Sequence, residues 1–177
     1  MYSAFKKALP QVSIFHRASS PPSASALQLL QSALAGPYPP SNPAAPPLQF
    51  DLEVVDAAPP TADQLPIILS YLSHLSHRSG SSPARKEAAP KINIPISAFL
   101  SAHAASASPP AGDARAVAQL ARESPDALRW PIVVDWTGGR ASVGDVEGVK
   151  GILEAIRAQR DGEAGGEDIQ QPKGWFS

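Results

Sequence analysis

The sequence has 177 residues, a length that suits one domain, and it carries no cysteine, which excludes disulfides, thiolate metal sites and a cysteine nucleophile. Charged residues make up 18 % and the net charge is -1, without the clustered Lys and Arg that binding to nucleic-acid phosphates requires. No apolar run approaches the roughly 20 residues of a membrane-spanning helix.

The 20 prolines fall in clusters, so the expectation is an ordered domain interrupted by Pro/Ser/Ala-rich loops. Charge order adds a second signal. Lys6, Lys7 and Arg17 all precede Asp51, the first acidic residue. Residues 1–20 are therefore basic, serine-containing and acid-free, as mitochondrial presequences are. They also read as the first helix and strand of the domain, and the two readings are compatible.

Residues 11–16 (QVSIFH) alternate and are β-branched, which predicts a short strand. A helix follows from near Ser23, just after Pro21 and Pro22, with Leu27, Leu30 and Leu34 on one face. Gly36 in a left-handed cap and Pro37 end it. Residues 38–47 are a proline-rich loop, and LQFDLEVV (48–55) alternates as a strand. Thr61 and Gln64 offer a capping box for the next helix; if Pro66 shifts the start, Asp63 is the cap. Leu65, Ile68, Leu69, Leu72 and Leu75 form its apolar stripe.

Residues 78–89 read as a polar loop, and 91–100 (KINIPISAFL) are ambiguous because Pro95 weakens a central-strand reading. A further Ala/Ser/Pro stretch leads to Asp113, expected to cap a helix through about Arg122 with Val117, Leu120 and Ala121 inward. Residues 132–136 form an apolar strand. Gly138 and Gly139 supply positive φ, and 140–143 return as the hairpin partner. Asp145 caps a last helix whose buried face is Val146, Val149, Ile152, Leu153 and Ile156. Residues 161–177 are expected to be a disordered tail, from which Trp175 and Phe176 are able to dock back.

The order is β-α-β-α-β-β-α in a single domain, residues 1–160. Two parallel strands joined by a helix, then an antiparallel pair, make a four-stranded mixed sheet with helices packed on it. The fold class is α/β of the thioredoxin-like kind.

Three stretches carry a family resemblance. SIFHRASSPPSASALQLL resembles the opening of arsenate-reductase-like proteins, a strand ending in His, a loop bearing the redox cysteine and a Leu-rich helix. Counted from His16 without a gap, that cysteine position falls on Ser20. FDLEVVDAAPPTADQLPIIL resembles their second strand and helix, and DALRWPIVVDWTGGRASVGD their hairpin, with Trp130 where those enzymes have Arg. The FDLEV strand, the PT-x-DQL helix start and the VDW strand together resemble a fungal family described as mitochondrial redox proteins with a thioredoxin-like fold, over roughly residues 5–157.

The resemblance implies oxidoreductase activity toward disulfides or small toxic molecules, and a mitochondrial address. Some members carry a cysteine in the helix ahead of the VDW strand, and the matching position lies near Leu120. This sequence has cysteine at neither place. A serine hydroxyl has neither the accessible anion nor the reversible oxidation states of sulfur, which leaves the catalytic residue unassigned.

The alternative is a non-catalytic binding module. Its candidate residues are His16, Arg17, Ser19, Ser20, Trp130 and Pro131. Ser19 and Ser20 lie between strand and helix, where an anion meets the helix dipole, with Arg17 as a charged partner; an ordinary capping loop fits the same residues. In thioredoxin-like relatives the proline at the position of Pro131 is cis and presents the preceding carbonyl, here that of Trp130, to a peptide. His74 and His77 share i, i+3 spacing without a third ligand, so no metal is expected, nor a cofactor. Asp135 is read as starting the hairpin turn, with Trp136 packed in a satellite core. The expected ligand is a small molecule, peptide or thiol, and the expected state is a monomer.

Overall fold

The computed structural model describes residues 8–76, 99–101 and 114–163, with the backbone alone for residues 73–76 and Ala114. In chain order the elements are β1 (Gln11–His16), α1 (Pro21–Ala35), β2 (Asp51–Asp56), α2 (Gln64–Ser76), α3 (Ala114–Glu123), a 3-10 turn (Pro125–Ala127), β3 (Ile132–Asp135), β4 (Arg140–Val143) and α4 (Val146–Arg160).

The four strands form one mixed sheet in the order β2-β1-β3-β4. β1 and β2 are parallel, from Gln11 opposite Asp51 to His16 opposite Asp56. β3 runs antiparallel to β1, with Val12 opposite Asp135 and Phe15 opposite Ile132, and β4 is antiparallel to β3. Because side chains alternate along a strand, β1 sends Val12 and Ile14 to one face and Phe15 to the other. On the first face they pack with Leu30 of α1 and with Ile152 and Leu153 of α4. On the second face Phe15, Ile132 and Val134 meet Leu65 and Ile68 of α2 and Val117 of α3. The chain is thus a mixed α/β protein with its sheet between two helical layers. A Cβ at Gly148 would collide with the Ser142 side chain, so glycine there lets α4 lie close on β4.

Several elements differ in detail from the sequence reading. α1 begins at Pro21, not near Ser23, since Ser20 is the N-cap and a proline in the first turn forfeits no helical hydrogen bond. Its buried stripe is Ser23, Ala26, Leu30 and Ala33, while Leu27 and Leu34 pack only partly. Small residues let the helix sit close to the sheet, and the leucines cover its flanks. Gly36 is extended, φ -129 and ψ 175, rather than left-handed; Pro37 excludes the helical region for the residue before it.

β2 spans only Asp51–Asp56, because it is an edge strand. Leu48 and Phe50 enter the core ahead of it, yet Val54 is 44 % exposed. The Thr61–Gln64 capping box forms in both directions: the Thr61 amide donates to Gln64 Oε1 at 3.0 Å and the Gln64 amide to Thr61 Oγ1 at 3.3 Å. The helix itself begins at Gln64, one residue after Asp63, with Pro66 in its first turn as the later start implied.

α3 ends at Glu123, and Asp113 lies outside the described residues. Of the ambiguous stretch, residues 91–98 lie outside them too. Its last residue, Leu100, forms an antiparallel bridge with Leu128. In the hairpin Gly139 alone has positive φ (64°); Gly138 does not. Asp145 caps α4 as read, accepting from the Glu147 and Gly148 amides at 2.9 and 3.1 Å. Residues 164–177, including Trp175 and Phe176, lie outside the described residues.

The proline-rich loop between α1 and β2 is tied down rather than patternless. The Tyr38 amide donates to the Pro46 carbonyl at 3.3 Å, closing the loop on itself. Arg160, the last residue of α4, donates to the Pro46 carbonyl at 2.6 Å and to the Tyr38 carbonyl at 3.1 Å. A guanidinium suits this task because its fork reaches two acceptors at once. Tyr38 itself is buried, which pushes its phenol above the ordinary value, with Glu154 adding to the effect.

Candidate functional site

The six sequence-predicted residues His16, Arg17, Ser19, Ser20, Trp130 and Pro131 lie where β1 ends and β3 begins. The antiparallel ladder has hydrogen-bonded pairs at every second residue, and its last is Phe15 with Ile132. In register the next would be Arg17 with Trp130. It is not made, because the Arg17 amide turns to Ser23 Oγ at 3.0 Å. Ser23 is fully buried in the first turn of α1, and its hydroxyl also meets His16 Nδ1 at 2.8 Å. Oγ therefore accepts from the Arg17 amide and shares a second hydrogen bond with the His16 ring, tying the end of β1 to the start of α1. Ser23 is the residue that sequence reasoning missed. Its signal was present: it shares the face of Ala26, Leu30 and Ala33, where a serine requires a partner.

The Arg17 guanidinium spans from the loop to the turn preceding β3. It reaches Asp126 Oδ1 at 2.7 Å and Ser19 Oγ at 2.9 Å. Ser20 caps α1 through its backbone alone, its carbonyl accepting from the Ser23 and Ala24 amides at 3.0 and 3.1 Å. Its own amide donates to the Arg17 carbonyl at 3.0 Å. Pro21 and Pro22 have no amide hydrogen. The helix-start amides that an anion would use are thus already bonded, and Arg17 already has a carboxylate partner.

Trp130 and Pro131 lie beside this loop. The Trp130–Pro131 bond is cis. The indole is buried in the α2/α3 layer and donates to the Pro125 carbonyl at 2.8 Å, so Trp130 contributes a core side chain here, not a contact surface. Leu120 belongs to α3 and packs partly against that same apolar cluster. His74 lies within α2, whereas His77 and His103 are outside the described residues. Among the described residues no three His, Asp or Glu side chains group as metal ligands, and no helix is long and apolar enough to cross a membrane.

The opposite pole holds a polar network that the sequence reading did not assemble. Trp136 Nε1 donates to Ser13 Oγ at 2.9 Å, and Ser13 donates to Glu53 Oε2 at 2.7 Å. The Trp136 ring meets Tyr71 edge-on, centroids 6.3 Å apart. Beside them opens a cleft of about 490 Å³ lined by Gln11, Ser13, Asp51, Glu53, Gln64 and Trp136 among others. Asp135 starts the hairpin turn as expected. It is 1 % exposed, accepts from the Gly138 amide at 2.7 Å and pairs with Arg140 at 3.3 Å.

Ser23→Ala is expected to destabilise the protein by about 1–3 kcal/mol, because it removes the acceptor of a part-buried backbone amide with little change of volume. Urea unfolding checks this; an unchanged midpoint would show that the Arg17 amide has another acceptor.

A mixed α/β domain with this loop at the end of β1 is the class that the fold and site define. Over residues 2–144 the chain matches the family described as Protein of unknown function (DUF1687), and it belongs to that family. No curated protein and no solved structure matches it.

Proposed function

We propose that the chain is a thioredoxin-like protein of a mitochondrial redox family, acting as a binding module for an extended peptide or a thiol such as glutathione and not as a thiol oxidoreductase. The thioredoxin-like reading is supported by the strand order β2-β1-β3-β4, in which β3 alone opposes the other three strands. The observation that carries the binding reading is the Arg17–Asp126 ion pair at 2.7 Å, which holds the loop after β1 against the segment leading to Trp130 and Pro131. With the Arg17 amide committed to Ser23, β1 does not take up the backbone of Trp130. An extended ligand would pair there as a short extra strand. Electron transfer through a thiol, by contrast, has no group to run on in these 177 residues.

The test pairs an insulin-reduction assay with NMR titrations of the purified protein against glutathione and against an unstructured model peptide. The expected result is no reduction, with amide shifts confined to residues 16–20 and 129–132 and lost in Arg17→Ala. Catalytic turnover overturns the binding reading, as does an absence of shifts with both ligands. The mitochondrial part is tested separately by imaging the full chain fused to a fluorescent protein; a cytosolic signal would remove it.

A further inference from the structure

The geometry points to a second binding surface at the other pole: the open edge of β2 and its cleft take an extended, basic segment of a partner protein, which adds to the sheet as a fifth strand. This goes beyond the proposal above and uses none of its residues. The phase of β2 follows from the bonds at its ends. The Asp51 amide donates to the Pro10 carbonyl at 2.8 Å and the Ala57 amide to the His16 carbonyl at 3.0 Å. Residues 51, 53, 55 and 57 therefore turn their backbone groups to β1, and Leu52, Val54 and Asp56 turn theirs outward. Among the described residues no strand pairs with that outer side. A row of unpaired amides and carbonyls is a template for strand addition.

Charge determines the kind of strand. Asp51, Glu53 and Asp56 are three exposed carboxylates in a six-residue strand. Among the described residues no ion pair involves any of them. Asp51 and Glu53 share the face of the 490 Å³ cleft. The Ser13 hydroxyl, 97 % buried, fixes Glu53 there, and the same oxygen holds the indole of Trp136. A Lys or Arg side chain on an incoming strand, alternating to that face, would lie between two carboxylates and an aromatic wall, which suits a cation on both counts. A second copy of β2 is a poor occupant, since it would set like charges opposite one another.

The probe is a dye-labelled decapeptide of alternating Lys and Val, followed by fluorescence anisotropy, with a Glu/Val decapeptide as control. Saturable binding of the Lys/Val peptide alone is expected. Asp51→Asn with Glu53→Gln should weaken it roughly fivefold or more. Val54→Pro should weaken it similarly, since proline removes only an outward amide and is tolerated on an edge strand. The same peptide N-methylated on alternate residues should also bind less, a readout that leaves the protein unaltered. No saturable binding, or equal binding of both peptides, overturns the proposal. So does binding that survives both Val54→Pro and N-methylation, which would mark a cation pocket without strand addition.

Discussion

Ile68→Asp is expected to abolish the native fold. Ile68 is fully buried and belongs to the cluster that joins α2 to Ile132 and Val134 of the sheet. An aspartate there loses the apolar transfer energy of isoleucine and buries a carboxylate without a partner. Together these cost several kcal/mol, a large part of the about 5–15 kcal/mol that holds a domain together. Ile67, next to it and 44 % exposed, is the internal control: Ile67→Asp should shift stability by only about 0.5 kcal/mol. Circular dichroism with thermal melting distinguishes the two. Equal melting temperatures would show that α2 does not pack on the sheet through this face. The apolar stripe read from the sequence included Ile68 and Leu69 together, but Leu69 is only partly buried and its substitution by aspartate should cost less.

The second large effect is expected at the hairpin. Asp135 is a charged side chain almost without solvent contact, with two partners, the Gly138 amide and the Arg140 guanidinium. Arg140→Met should destabilise by about 3 kcal/mol, since removing one member of a buried pair leaves the other charge uncompensated. Adding Asp135→Asn should recover part of that loss, because asparagine still accepts from the Gly138 amide and carries no charge. Chemical denaturation of the two single variants and the double variant forms the cycle. If the double variant is as unstable as the sum of the singles, the pair is not coupled and the carboxylate is held by the turn alone.

How much of this was legible in the sequence depended on whether a residue acts locally. Asp145 and the Thr61–Gln64 box cap helices through neighbours two or three positions away, so their chemistry is written in adjacent letters. The apolar face of α4 was readable for the same reason, as it repeats at helical spacing. Gly36 misled because two local rules competed: a glycine at a helix end favours the left-handed cap, but the following proline forces extension. The buried stripe of α1 misled because leucine draws attention away from Ser23 and Ala26, and only the close approach of the helix to the sheet favours small residues.

The candidate site divides in the same way. Arg17 and Ser19 were legible as a loop at the end of a strand. Asp126, more than a hundred positions on, became Arg17's partner only when the chain order brought the turn before β3 alongside β1. Ser13, Glu53 and Trp136 come from three separate segments, and nothing in any one of them marks the others.

The family match stops at residue 144, two residues before α4 begins, yet Val149, Ile152, Leu153 and Ile156 share one layer of the core with α1. The matched segment is therefore shorter than the folding unit. A recombinant fragment cut at residue 144 would strip the α4 half of the cover from Val12, Ile14 and Val133 and leave the Tyr38–Pro46 loop without its arginine clasp. For this protein, expression boundaries belong after residue 163, where α4 has ended, rather than at residue 144.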